Sequence, residues 1–568
     1  MVCQAAIPFY SRVLETSDLR YGFGLASLDP GTLAAALAEA GVELVRRPSR
    51  LATELAGLAL AQAGVAVDVA RASLGAREEP IAAPNGDKRF ADRAWTENPA
   101  LRAVMEGYLT SARWSKRVLA DTDLPEQTRR KADFALDVLL DALSPSNVPF
   151  LNPSVVKEAF DTGGHSLLRG LANFVDDLAH RQGRPKQVDS ESFVLGETLA
   201  ATPGRVVFRN ELIELLAYEP QTETVFATPV VYSPAWINKY YVLDLAPGRS
   251  FVEHAVRAGF TVFAISYRNP DAAMADLRFD DYLRDGLMTA IDQACEITGS
   301  PAVNLVAVCM GGALATVALA VLAARGQSSR VASAAVLNSL ADFEEPGPVG
   351  AFVDEGTIEK IEERNARRGY LPANDMSGTF TLMRGNDLLW NYVVSNWLMG
   401  KQPPAFDLLV WNDDGTRLPA AMHSQFLRTC YLENALVTPG AASFDGTPVD
   451  LGTIETPLYL LASEKDHIAP WESVYRTTQL VSGPVRFVLA SSGHIAGLVQ
   501  PPGGRSPRYR VASSLPAEPA AWLAGAEQVE ESWWEDWVRW AGLHSGEQVA
   551  PPELPEGVPA PGTYVRAR

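Results

Sequence analysis

Residues 303–314 read VNLVAVCMGGAL, and no other stretch constrains the fold of this chain as strongly. A β-branched apolar run ends at Cys309, Gly311 and Gly312 follow almost at once, and an alanine-rich helical run begins. The pattern predicts a buried strand, a tight turn with one reactive side chain at its apex, and a helix leaving it. Such turns usually carry serine where this one has Cys309, and glycine where it has Ala307. The structural alternative is a buried free cysteine in an ordinary strand–helix unit, since free cysteine is among the most buried residue types.

The surroundings of this stretch fit a layered domain. Apolar runs alternate with helical stretches, at Val225–Tyr232, Phe260–Ser266, Val303–Val308, Val331–Leu337, Pro457–Ala462 and Val485–Ala490. Several are almost continuously apolar, as strands buried on both faces should be. A largely parallel sheet covered by helices is therefore expected, an α/β class domain over 191–568. Between Ser339 and Asp450 the rhythm breaks into a charged helix, loops and aromatic clusters. An insertion of that length predicts a cap subdomain at about 340–450. Further on, Trp533, Trp537 and Trp540 share one helical face and are expected to pack onto this domain. Residues from Pro551 read as an extended tail.

Residues 1–190 read differently. Leu33, Leu37, Ala40 and Leu44, then Leu51, Leu55, Leu58, Val65 and Val69, keep a helical period over Gly31–Leu74. Arg77–Lys88 reads as a charged, proline-bearing linker, and helical patterns resume over Pro99–Ala142 and Ser154–His180. A mostly helical N-terminal domain is expected. The apolar run Leu51–Ala72 is interrupted by Glu54, Gln62, Asp68 and Arg71, which argues against a membrane span. The N-terminus, MVCQAAIPFYSRVLE, lacks the pattern of a signal peptide.

Composition narrows the chemistry. At 568 residues the chain needs more than one core, and its net charge of -19 disfavours a nucleic-acid partner. Its four cysteines, Cys3, Cys295, Cys309 and Cys430, are scattered with no CxxC pair. Neither a disulfide framework nor a zinc site is suggested, and a reducing cytoplasm fits.

A cysteine nucleophile needs a base, and the base needs an orienting group. Asp466 follows PLYLLASEK and His494 follows VRFVLASSG, so each falls just past a predicted strand end, as Cys309 does. Catalytic groups of open α/β sheets gather at that edge. The order nucleophile, acid, histidine is that of the α/β-hydrolase fold. Asp466 as a helix cap and His494 as a loop histidine are the plain alternatives, but three such coincidences in the right order are less economical than one triad. His467 reads as structural. An oxyanion hole in this fold takes the backbone N–H after the nucleophile, here Met310, and a second from the loop after an early strand. In SPAWINKYYVLDL the candidates for that second donor are Trp236 and Ile237, while Asn238, Lys239 and the tyrosines could serve to fix the loop. Asp280 and Asp281 read as helix-start carboxylates, and Arg364, Arg367 and Arg368 as a solvated helix face. Cysteine rather than serine favours exchange with another thioester, because the acyl group stays activated and can pass on to a hydroxyl.

The stretches RFADRAWTENP, SPSNVPFLNP, SPAWINKYYVLDL, SYRNPDAAMADLRFDDYL, GNDLLWNYVVSNWLMG, FDLLVWNDDGTRLP, EKDHIAPW, SGHIAGLVQPP and SWWEDWVRW carry a resemblance. From about Arg89 to the C-terminus the chain resembles the polyhydroxyalkanoate synthases, in particular the single-subunit class I/II type. The resemblance implies an α/β-hydrolase fold with a cap, and a catalytic set of Cys309, Asp466 and His494. It implies that a 3-hydroxyacyl-CoA substrate is polymerised into poly(3-hydroxyalkanoate) through a thioester on Cys309, with coenzyme A released. Coenzyme A enters as part of the substrate, and no separate cofactor or metal is implied. Asp466 would orient His494 or help activate the 3-hydroxyl. The implied partners are the growing polyester chain and its granule surface, a second copy of the chain in a homodimer, and granule-coat proteins. The N-terminal domain would serve granule or partner association, or support the dimer. Two positions depart from the family pattern: Ala307 replaces the usual elbow glycine, and Gln425 stands where many short-chain synthases have tryptophan. The competing readings are a thioesterase or polyester hydrolase of the same fold and a non-catalytic granule-surface protein.

Overall fold

The computed structural model describes residues 30–76, 79–84 and 87–567. Cys3, the N-terminal stretch read against a signal peptide, four residues of the expected linker (Arg77, Glu78, Asn85 and Gly86) and Arg568 lie outside the described residues. The chain forms two compact units. One holds the described residues up to Asp189 together with Asn374–Ala405; the other holds Ser190–Ala373 and Phe406 onward.

The second unit is built on a mixed sheet, ten-stranded among the described residues. In chain order its strands are β1 (Gly204–Arg209), β2 (Ile213–Tyr218), β3 (Val230–Ser233), β4 (Val262–Tyr267), β5 (Val303–Val308), β6 (Val331–Leu337), β7 (Leu458–Ser463), β8 (Val485–Ala490), β9 (Tyr509–Val511) and β10 (Glu527–Val529). They lie side by side as β1-β2-β4-β3-β5-β6-β7-β8-β9-β10. From β4 to β8 every neighbouring pair is parallel, and the two strands at each edge are antiparallel. The parallel strands are the β-branched and leucine-rich runs of the sequence, buried on both faces because helices cover them. The expected strand Val225–Tyr232 is in fact two, Val225–Phe226 and Val230–Ser233. Pro229 stands between them and has no N–H to continue a ladder.

Helix Met310–Ala324 leaves β5 and is buried from Met310 to Leu322, which explains its near-absence of polar residues. Its glycines are fixed by close approach. A Cβ on Gly311 would lie 2.4 Å from the Ser233 carbonyl oxygen, and one on Gly312 would lie 2.6 Å from Ser339 Cβ. Ala307 is fully buried in β5 between Ser233 and Val336, so a methyl group fits where the family usually has glycine.

The C-terminal helix Trp533–Gly542 buries Trp533, Trp534 and Trp537, while Trp540 is only partly buried against Tyr459. Asp536 on the same helix is also buried. It accepts both Arg486 Nε and Nη2 at 2.8 and 2.7 Å, and the Tyr459 and Tyr509 hydroxyls at 3.0 and 3.2 Å. One carboxylate thus joins the helix to β7, β8 and β9. The expected extended tail is bound into the fold. Val206 N–H donates to Val558 O at 2.8 Å and Ala560 N–H to Gly204 O at 2.9 Å, so the tail runs along the edge of β1. Thr563 and Tyr564 N–H then close on the buried Glu214 carboxylate at 2.8 and 2.9 Å.

The first unit is helical. The long period read over Gly31–Leu74 is two helices, Pro30–Arg46 and Pro48–Ser73, divided at Arg47 because proline opens a new helix more readily than it continues one. Pro48–Ser73 is long and apolar enough, by length and composition, to cross a membrane, despite its charged interruptions. Here it lies on helix Pro99–Ala120: Gln62 Nε2 donates to Gly107 O and Ser111 Oγ, both at 2.9 Å, and Trp114 Nε1 to Glu54 O at 3.0 Å. Residues 374–405, read from sequence as part of the cap, pack with the N-terminal helices. Trp397 Nε1 donates to Asp177 at 2.8 Å, and a Cβ on Gly170 would collide with the Trp397 carbonyl.

Candidate active site

Cys309 sits between β5 and its helix at φ 51°, ψ -120°. A non-glycine residue at positive φ is strained and persists only where its surroundings over-determine it. Three hydrogen bonds do so here. Cys309 N–H donates to Leu337 O at 2.9 Å, and Cys309 O accepts from Gly312 and Ala313 N–H at 2.8 and 3.1 Å. The turn points the side chain out of the sheet at its C-terminal edge.

The loops after β7 and β8 bring Asp466 and His494 to the same edge. His494 Nδ1 and Asp466 Oδ2 are 2.6 Å apart, with side chains 5% and 0% exposed. Asp466 Oδ1 accepts Ile468 and Ala469 N–H at 2.8 and 2.9 Å, so both carboxylate oxygens are engaged. With Nδ1 committed to Asp466, Nε2 is the nitrogen left for Cys309. Burial draws the imidazole downward, but Asp466 and Cys309 outweigh it, by charge and by hydrogen bonding, and hold His494 up at about 10. The structure thus brings together the three residues that sequence order grouped. The other described thiols differ: burial raises Cys295 and Cys430, and no histidine is among the groups acting on either.

The loop after β3 approaches the elbow from the other side, with the Ser233 and Pro234 carbonyls against Gly311. Met310 N–H opens the elbow helix and has no intrahelical acceptor. The Trp236 and Ile237 carbonyls are turned to Thr416, accepting its hydroxyl and its N–H respectively. The neighbouring residues fix the loop: Asn238 donates to Trp411 O at 3.3 Å, Lys239 Nζ to Ala567 O at 2.6 Å, and Tyr241 OH to Asp414 at 2.9 Å.

An aromatic wall adjoins Cys309. Phe343, Phe426 and Tyr431 pack edge to face, at 4.8 Å for Phe343–Tyr431 and 5.6 Å for Phe426–Tyr431. Burial first, then the Cys309 and Cys430 thiols, push the Tyr431 phenol upward. Gln425 is a tie within this segment, accepting Phe279 N–H at 3.0 Å and donating to Asp280 at 2.7 Å. Asp281 caps its own helix through Arg278 N–H at 2.7 Å, and Arg367 pairs with Glu363 on an exposed face. Among the described residues no group of three or more His, Cys, Asp or Glu side chains is placed to hold a metal ion.

The order of strands and the sharp turn at Cys309 agree with the comparisons with known proteins. Residues 229–501 match the alpha/beta hydrolase fold, and residues 86–255 match the family described as "Poly-beta-hydroxybutyrate polymerase (PhaC) N-terminus". A poly(3-hydroxyalkanoate) polymerase of Methylorubrum extorquens is 42% identical over 505 residues, 87% of this chain and 83% of that protein. The chain belongs to the poly(3-hydroxyalkanoate) polymerase family. Two further members are similar to it: poly(3-hydroxyalkanoate) polymerase 2 of Ectopseudomonas oleovorans, 42% identical over 86% of this chain and 88% of its own length, and the polymerase subunit of Cupriavidus necator, 41% identical over 85% and 84%. As a member of this polymerase family the chain is an acyltransferase-type enzyme on an α/β-hydrolase fold, with a mostly helical N-terminal region.

Three features of this candidate site carry little signal in the sequence. Trp534, off the expected tryptophan face, donates its indole N–H to Leu498 O at 2.9 Å, and Trp533 donates to Gly497 O at 2.9 Å. Together they clamp the chain just beyond His494. Tyr431 becomes visible only once the inserted segment folds back toward the elbow. Asn338, at φ 46° after β6, is marked in sequence only by its place behind a strand.

Proposed function

We propose that Cys309 is the acyl-carrying nucleophile of the polymerisation, with His494 as its base and Asp466 as the group that orients His494. Cys309 gives its proton to His494, and the sulfur attacks the carbonyl carbon of a 3-hydroxyacyl-CoA. The bond to the coenzyme A sulfur breaks, and coenzyme A leaves with the proton held by His494. The 3-hydroxyl of a second acyl group then attacks the Cys309 thioester. His494 takes its proton, an ester bond forms, and Cys309 departs as thiolate. The observation that carries this reading is the strained Cys309 facing a buried His494–Asp466 pair at 2.6 Å. Engagement of both Asp466 oxygens favours orientation of His494 over direct activation of the 3-hydroxyl.

Met310 N–H, with Trp236 or Ile237 N–H from the loop after β3, is proposed to hold the oxyanion. The proposal further places the enzyme in the cytoplasm as a homodimer on the surface of its polyester granule, within reach of granule-coat proteins. Apolar side chains left open on the first unit suit such a surface, among them Phe150, Phe160 and Leu168. The test is coenzyme A release from 3-hydroxybutyryl-CoA with insoluble polymer recovered in parallel. Cys309→Ala is expected to abolish both. Coenzyme A release with only free hydroxy acid formed would instead make the chain a thioesterase.

A further inference from the structure

Asn338 is fully buried at the end of β6 and touches the supports of all three proposed catalytic residues. Its preceding residue, Leu337, gives the carbonyl that receives Cys309 N–H at 2.9 Å. Its own side-chain Nδ2 donates to the main-chain oxygen of His494 and, at 3.0 Å, to Ser463 Oγ. Ser463 ends β7, is itself fully buried, and its carbonyl receives Asp466 N–H at 3.0 Å. Asn338 N–H donates to Leu461 O at 2.8 Å, which holds the residue in the ladder between β6 and β7.

A plain strand-terminating asparagine would account for the positive φ, since asparagine tolerates that region. It would not account for the rest. Full burial spends both amide N–H groups on the His494 loop and the β7 end, and leaves Asn338 Oδ1 without a hydrogen-bond partner. An unpaired buried acceptor is costly, and sites that keep one generally have a reason. Here the reason is registration. The imidazole ring is fixed from one side by Asp466, and the His494 main chain is fixed from the other by Asn338. Between them the two contacts leave the ring little freedom to move against Cys309.

We infer that Asn338 is a positioning residue for the acyl transfer: its amide sets the reach of His494 to Cys309. This rests on the reading of Cys309, His494 and Asp466 given above. A displacement of about 1 Å in such a contact is worth about 100-fold in rate. Asn338→Gly removes the amide and leaves φ 46° freely accessible, so it separates the contact from the backbone strain. Asn338→Asp preserves size but, in its ionised form, has no proton to donate to the His494 carbonyl.

The experiment measures the coenzyme A release rate, KM and the pH profile of kcat, with a thermal melt for each full-length variant. Asn338→Gly is expected to lower kcat about 100-fold at unchanged KM, and to move the pH limb that reports His494. In a His494→Ala background the same substitution is expected to cost nothing further, because the residue it acts through is gone. Asn338→Asp carries the same expectations where Asn338→Gly fails to fold. A folded variant with wild-type kcat and pH profile overturns the inference, as does an undiminished loss in the His494→Ala background. Wild-type turnover by His494→Ala alone would overturn the triad reading instead, a different result in the same set.

Discussion

The two units of this chain use apolar residues in opposite ways. In the second unit they are spent on burial: Leu314, Trp533, Trp534 and Trp537 are at most 1% exposed. In the first unit helix His165–His180 leaves Leu168 at 68% and Leu171 at 58% exposed, and Phe150 and Phe160 lie open at 80% and 87%. The difference separates two demands. A residue held at positive φ, as Cys309 is, needs a rigid, close-packed support, and the sheet unit supplies it through strands buried on both faces. The helical unit keeps its shape with smaller cores, such as Phe90, Trp95, Met105 and Leu109, and presents apolar side chains outward. The proposed chemistry thus falls in the unit with little slack, and the proposed surface association in the unit with apolar area to offer.

The same substitution made in both units is the sharpest way to break this contrast. Leu314→Ala, in the fully buried elbow helix, is expected to cost about 2–5 kcal/mol in chemical denaturation, with polymerising activity falling as the elbow loosens. A loss under about 1 kcal/mol would mean the sheet unit is less tightly packed than described.

Next in size is a pH effect confined to the sheet unit. The fold holds His494 above its ordinary value, so it favours the protonated ring. That stabilisation is complete below about pH 6.5 and is lost as the pH rises toward about 10. Cys309 is one of the two groups that hold the ring up, so in Cys309→Ala the loss should still begin near pH 6.5 but be complete at lower pH. Melting temperatures of both proteins from pH 6 to 10.5 read it, and superimposable curves would remove the coupling between Cys309 and His494.

Trp534→Phe keeps the ring but deletes the N–H to Leu498 O. The expected cost is about 1 kcal/mol of stability together with a modest fall in kcat, because the clamp lies four residues past His494. The smallest effect belongs to the helical unit. Leu171→Ala should stay within about 0.5 kcal/mol of wild type in the melt, while binding to isolated polyester granules weakens. Granule binding unchanged by Leu171→Ala combined with Leu168→Ala would take the association role away from that face.

The chain spelled out its centre better than its edges. The strands Val303–Val308, Val331–Leu337 and Val485–Ala490 were legible to the residue, because burial leaves a nearly continuous apolar run bounded by turn residues. Strands β1, β2, β9 and β10 were not. β2 carries Glu214, buried in a sheet, which makes sense only once Arg209 of β1 and the Thr563 and Tyr564 N–H groups of the C-terminal tail partner it. The assignment of 374–405 to the helical unit is equally non-local, resting on contacts such as Trp397 to Asp177. In the site, Cys309, Asp466 and His494 were visible through order and strand-end position. Asn338 was not, because its role lies in which main-chain oxygen its amide meets, and that depends on three loops closing together.

The central claim is that the acyl group rides on Cys309. The direct measurement is mass spectrometry of the full-length protein and its peptides after rapid mixing with 3-hydroxybutyryl-CoA and acid quench. The account predicts a 3-hydroxybutyryl adduct on the peptide containing Cys309, labile to hydroxylamine, formed with one equivalent of coenzyme A and absent in Cys309→Ala. An adduct on another residue, or coenzyme A release by Cys309→Ala at the wild-type rate, would contradict it.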